Sequence, residues 1–283
     1  MQTLRLPAKR GLAWVVEGYR LFAKSPLLLV LLILSYWFLM VASNIVPVLG
    51  PIIATILIPT FSVGLMVACR ALEQDKAIEF NQLFAGFKTN FPALLRLGIV
   101  YLVATVLILA VSALIDGGAL MKAMLLGAKP AEDAVEEDRL LWAIEVSAVL
   151  FIPVLMGFWF APVLAAWHRM PAFKSLFFSY FACLHNVRAF LVYGAVLVVL
   201  TAIFPVAIFA LFAALLKTVG ARLAIIVLMP VFFVLIATLF ASFYVSYRDI
   251  FQDRDAANAM PPTAPAIDPA AAVPSSSPPP PSQ

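Results

Sequence analysis

From residue 25 to residue 69 the chain carries no Asp, Glu, Lys, Arg or His, and four more charge-free windows follow at 97–115, 146–167, 189–216 and 223–247. A helix of about 20 mostly apolar residues crosses the ~30 Å of a bilayer's hydrocarbon. There only elements that satisfy their own backbone hydrogen bonds persist. Each of the last four windows has the length of one span. The first has the length of two, and Asn44, Pro47, Gly50 and Pro51 place turn residues at its middle. The sequence therefore predicts an all-α membrane protein with six transmembrane helices, over about 26–43, 51–68, 97–115, 146–167, 189–216 and 223–247. The transmembrane domain is expected over 1–251. The tail 252–283 is Pro-, Ala- and Ser-rich and cannot bury a core, so it is expected to be disordered.

Composition agrees with this reading. Of 283 residues 64% are hydrophobic, against ~45–50% in soluble domains. The net charge of +4 is read as topogenic, because Lys and Arg near span ends set orientation. The N-terminal segment, the two loops after the second and fourth spans and the tail together hold fourteen Lys and Arg, against five on the other side. Both termini are thus expected in the cytoplasm. No basic cluster interleaved with aromatics lies outside the spans, so nucleic acid is excluded as an expected partner. The first apolar run exceeds the ~7–15 residues of a signal-peptide core, and the N-terminus is expected to be retained. Cys69 and Cys183 fall on the cytoplasmic side, where a disulfide is not expected.

A pattern recurs three times. Apolar residues at Leu12, Val15, Val16, Tyr19 and Phe22 precede the first span. Phe80, Leu83, Phe84, Phe87, Phe91 and Leu94 precede the third, and Phe173, Leu176, Phe177, Tyr180 and Leu184 precede the fifth. Steps of three and four put each set on one helical face. Each stretch also carries cations: Arg20 and Lys24, Lys88 and Arg96, Lys174 and Arg188. This is the pattern of helices lying in the interface, and these six residues are the candidate lipid-headgroup contacts. Gly18-Tyr19-Arg20 matches Gly86-Phe87-Lys88 and, more loosely, Ser179-Tyr180. Each even span contains a proline (Pro59, Pro153, Pro230) and closes at an arginine (Arg70, Arg169, Arg248). The expected architecture is three repeated units, each an interfacial amphipathic helix followed by a helical hairpin.

On Gly18-Tyr19-Arg20, Gly86-Phe87-Lys88 and the repeated span prolines, residues 5–250 resemble a family of uncharacterised proteobacterial integral membrane proteins. More distantly they resemble the membrane domain attached to some glycerophosphodiester phosphodiesterases. The resemblance implies a bacterial inner-membrane location. It implies no activity, since the catalytic barrel of those phosphodiesterases has no counterpart here.

Chemistry-bearing residues are sparse. Ionisable groups inside spans mark ion pathways and proton relays, and the predicted spans contain none. Proton- or sodium-coupled transport by carboxylates is therefore disfavoured. Hydroxyls such as Ser62, Thr105, Ser112 and Ser242 are expected to bond backbone or neighbouring helices. Pro59, Pro153, Pro162, Pro205 and Pro230 should kink or locally open their helices. His168 and His185 sit at opposite ends of one loop without an acid in it, and would need Glu73, Asp75 or Glu79 from the loop before. The acidic run 132–138 lacks the alternating ligands and turn glycine of an EF-hand. No nucleophile, nucleotide, zinc or cofactor motif is present. The sequence thus favours a non-catalytic membrane scaffold, assembly or envelope-homeostasis factor contacting lipid or another membrane protein. A passive channel through the proline-kinked centre and an interfacial lipid-modifying enzyme using His168 or His185 are the alternatives.

Overall fold

The computed structural model describes residues 4–46, 49–126, 137–215 and 220–251. The tail 252–283, loop residues 217–219 and acids 132–136 lie outside these. Every regular element among the described residues is helical. In chain order they are α1 (Arg10–Ala23), α2 (Pro26–Ser43), α3 (Leu49–Glu73), a 3-10 helix (Phe80–Lys88), α4 (Phe91–Asp116), α5 (Ala119–Leu126), α6 (Glu137–Trp167), α7 (Ala172–His185), α8 (Val187–Val198), a π-helical turn (Val199–Ile203), α9 (Phe204–Leu215) and α10 (Gly220–Phe251). Six stretches are long and apolar enough to cross a bilayer: Pro26–Ser43, Leu49–Glu73, Phe91–Asp116, Asp138–Trp167, Val187–Phe212 and Leu223–Phe251.

Local chemistry sets the breaks. Pro26 and Pro92 stand in the first turns of α2 and α4, where a missing N–H is harmless. Gly117 ends α4 with φ +66°, the left-handed stop that glycine adopts without strain. The buried Asp116 carboxylate accepts the N–H groups of Gly118 (2.8 Å) and Leu120 (2.6 Å). This acid at a span end therefore shapes a turn. The fifth span departs from one continuous α-helix. Pro205 has no N–H to give to Thr201 and crowds its carbonyl, and the ladder widens to π over Val199–Ile203. Pro59, Pro153, Pro162 and Pro230 remain within α-helices.

The segments that precede the odd spans are built into the bundle. The 3-10 helix packs on α3, α7 on α6, and α1 on α10 and α8. Small residues allow the approach, as in membrane helix packing generally. A Cβ on Gly86 would stand 2.1 Å from the Thr60 carbonyl oxygen, one on Gly18 would stand 2.6 Å from the Ser242 nitrogen, and one on Gly11 would stand 2.2 Å from the Ala189 carbonyl oxygen. On α7 the counterpart is Ser179. Its hydroxyl donates to Met156 O (2.8 Å) and accepts the Phe160 N–H (2.9 Å). Those two backbone groups form one rung of the α6 ladder, so Ser179 adds a side-chain bridge to that rung between the two prolines of α6.

The second segment corrects the sequence reading. It is a 3-10 helix, and Phe91 and Leu94 belong to α4. Three residues per turn eclipse side chains at i and i+3, which puts Leu83 and Gly86 in one buried line along α3.

The main core lies where α1, α3, α6, α8 and α10 meet. Trp14 is fully buried against Phe190 (5.3 Å) and Tyr193 (5.8 Å), and Trp159 meets Phe243 at 5.4 Å. The first and last described residues adjoin: the Leu4 N–H donates to Ile250 O (3.2 Å), while Asn186 bonds both Leu4 and Leu6 through its side-chain amide.

Candidate functional site

Charged side chains gather at the bundle end where the first and last described residues meet. Arg10 and Glu17 project from one face of α1, Glu73 ends α3, and Arg248 and Asp249 end α10. Arg10 Nε donates to Asp249 Oδ2 (2.8 Å), and its Nη2 pairs with the same oxygen. Arg10 Nη1 meets Glu17 Oε1 at 3.0 Å. Arg248 reaches Glu17 and Glu73, both at 2.5 Å. The Trp14 indole N–H donates to Asp249 (2.9 Å), and the Tyr244 hydroxyl donates to Glu73. Two guanidiniums, an indole and a phenol thus bond three carboxylates. Burial works against the charge of Arg10, but the hydrogen bond and charge of Asp249, with Glu17, raise its pKa above the ordinary value. Groups held this way have no free base or acid to offer. Their effect is to tie α1, α3 and α10 together.

The six cations expected at lipid headgroups are all exposed: Arg20, Lys24, Lys88, Arg96, Lys174 and Arg188. Lys24 ties the end of α1 to the end of α3, donating to Leu72 O (3.1 Å) and Asp75 (2.6 Å). The other five form no ion pair among the described residues. The structure does not gather the six into one site. Lys88 instead joins Arg70 and Arg169 around a cavity of about 590 Å³.

The expected apolar faces divide in two. Val15 and Phe22 of α1 are buried, while Leu12, Val16 and Tyr19 face outward. Leu83 of the 3-10 helix is buried, and Phe80, Phe84 and Phe87 are exposed. On α7 the separation is cleanest. Ala172, Ser175, Ser179 and Ala182 are buried, while Phe173 (74% exposed), Phe177 (59%), Phe181 and Leu184 look out.

His168 Nε2 and the Tyr247 hydroxyl hydrogen-bond at 2.8 Å, and His185 lies beside Phe181. Glu73 is held by Arg248, Asp75 by Lys24, and Glu79 accepts from Asn81 (2.8 Å). Among the described residues no three His, Cys, Asp or Glu side chains are placed to hold a metal ion. Both cysteines are buried, and burial pushes the Cys183 thiol well above its ordinary pKa. Span hydroxyls mostly bond their own helix, as Ser62 does to Pro59 O, Thr105 to Tyr101 O and Ser112 to Leu109 O. Pro59 and Pro162 line a cavity of about 230 Å³ between α3, α6 and α10, walled mainly by Trp159, Phe158, Phe240 and Phe243.

Sequence reasoning missed the charge network. The Arg10, Trp14, Glu17 spacing on α1 was its one visible signal. The partners sit 231 to 239 residues away, beyond any local pattern.

Six apolar spans with a polar, ion-paired end define a multi-pass membrane protein. Over 260 residues the chain is 40% identical to a Burkholderia thailandensis protein described as "Probable inner membrane protein BTH_II0599", covering 89% of this chain and 94% of that one. The chain belongs to that family of bacterial inner membrane proteins. No family model and no solved structure matches it.

Proposed function

We propose that the protein is a non-catalytic component of the inner membrane, a scaffold, assembly or envelope-homeostasis factor that contacts lipid or another membrane protein. In this reading it is built from three helical-hairpin units, each led by an interfacial segment, and both termini are cytoplasmic. The observation that carries the reading is α7. Its small residues pack on α6 while Phe173, Phe177 and Phe181 look outward beside the exposed Lys174. An aromatic outer face flanked by cations seats a helix at the headgroup boundary. The pairing of segments supports the three units. The 3-10 helix and α7 each pack on the span before them, and α1 packs on the last span.

The test reads solute flux and lipid turnover from the purified chain reconstituted into vesicles, and crosslinking from the full-length chain in its native membrane. The expected outcome is no flux and no turnover, with a stoichiometric crosslinked membrane partner. Saturable flux or phospholipid conversion overturns the reading.

A further inference from the structure

Three arginines close the even spans, and they meet different fates. Arg248 is neutralised by Glu17 and Glu73. Arg70 and Arg169 form no ion pair among the described residues, and they converge with Lys88 on the cavity of about 590 Å³. That size falls within the ~300–1,000 Å³ of small-ligand sites. The remaining lining is Thr89, Asn90, Pro92, Ala166 and Trp167, so it contains three cations and no acid. The acids of the neighbouring loop that could balance them are held elsewhere: Glu73 by Arg248, Asp75 by Lys24, and Glu79 by Asn81.

The walls are fixed rather than incidental. The Arg70 guanidinium lies over the Trp167 ring, 5.0 Å from its centroid, a cation–π contact that holds the side chain while leaving its donors available. Asn90, just before α4, donates to Ala165 O (3.1 Å) and Met170 O (3.2 Å), clamping the start of α4 to the turn between α6 and α7. Arg169 sits in that turn at φ +50°. A non-glycine residue is strained there, and such strain collects at ligand clamps. Three like charges held together without a counter-charge attract an anion with several oxygens, and two guanidiniums with an ammonium match a phosphoryl group.

We propose that Arg70, Lys88 and Arg169 form a binding site for a phosphoryl group, carried by an anionic phospholipid headgroup or by a soluble phosphate ester. The lipid arm rests on the interfacial reading above, while the site itself rests on the cavity alone.

The experiment uses the full-length purified protein. Inorganic phosphate binding is measured by calorimetry in neutral detergent. Lipid preference is measured by co-flotation with phosphatidylcholine vesicles, with and without phosphatidylglycerol. Arg70→Gln/Lys88→Gln/Arg169→Gln is compared with Arg20→Gln/Lys174→Gln/Arg188→Gln, whose cations do not line the cavity. The charge-keeping Arg70→Lys/Arg169→Lys serves as the folding control. Loss of one charge-assisted contact weakens binding about tenfold, and the charge-keeping pair should retain measurable affinity. Arg169→Gly separates strain from binding: it should raise the melting temperature and lower affinity together.

Loss of phosphatidylglycerol preference in the cavity variant alone assigns the site to a lipid headgroup. Phosphate binding lost in that variant, with no lipid preference in the parent, assigns it to a soluble ligand and removes the interfacial reading. Equal loss in both Gln variants, or no loss in the cavity variant, overturns the site while leaving that reading standing. Absence of both phosphate binding and lipid preference in the parent overturns both.

Discussion

Ser179 shows how one hydroxyl can set the course of a span. It bonds both Met156 O and Phe160 N–H, the two groups of one α6 rung. Pro153 and Pro162 on either side each remove one N–H from the ladder of α6. Gly18 and Gly86 do the equivalent work by absence, since a Cβ at either would collide with backbone. The prediction belongs to Ser179. Ser179→Ala leaves the carbonyl and N–H without their bridge and should destabilise the bundle by about 1–3 kcal/mol. Thermal unfolding in detergent, followed by size-exclusion, checks it. An unchanged midpoint would mean that the α6 rung holds without the side-chain bridge.

At the scale of elements, the spans were legible because hydropathy is a local signal. A charge-free window of the right length has few folded alternatives in a membrane. The opening at Val199–Ile203 was legible only as a kink, since Pro205 announces a broken bond but not its repair by π pitch. The 3-10 helix was missed because spacings of three and four coexist in Phe80, Leu83, Phe84 and Phe87, and only packing on α3 selects three. The face of α7 that meets protein was also hidden: its large residues advertised an apolar face, while small Ser175, Ser179 and Ala182 make the contact. That division of faces is directly measurable. A spin label at Phe177→Cys should report lipid-phase oxygen access, and one at Ser175→Cys should be immobilised and shielded. Equal accessibility would show that α7 does not present these two faces.

At the scale of the whole molecule, neither the charge network nor the basic cavity could be read from the sequence. Arg70 at the end of α3, Lys88 at the end of the 3-10 helix and Arg169 in the turn between α6 and α7 meet only in the packed bundle. Orientation is the remaining global property, and the excess of Lys and Arg beside one set of span ends predicts it. Reporter fusions at residue 1 and after residue 251 should both be active in the cytoplasm and silent in the periplasm; opposite signals from the two ends would refute an even number of crossings. The docking of α1 on α10 carries a consequence in time. Synthesis runs from the N-terminus, yet Arg10 meets Asp249 across 239 residues. At about 5–20 residues per second, α1 waits roughly 12–48 s for its partner helix. Throughout that interval Arg10 lacks Asp249, Glu17 lacks Arg248, and the Trp14 indole N–H lacks its acceptor on α10. Although α1 precedes all six spans, it is thus among the last elements to find its place, because the helix it docks on follows all the others.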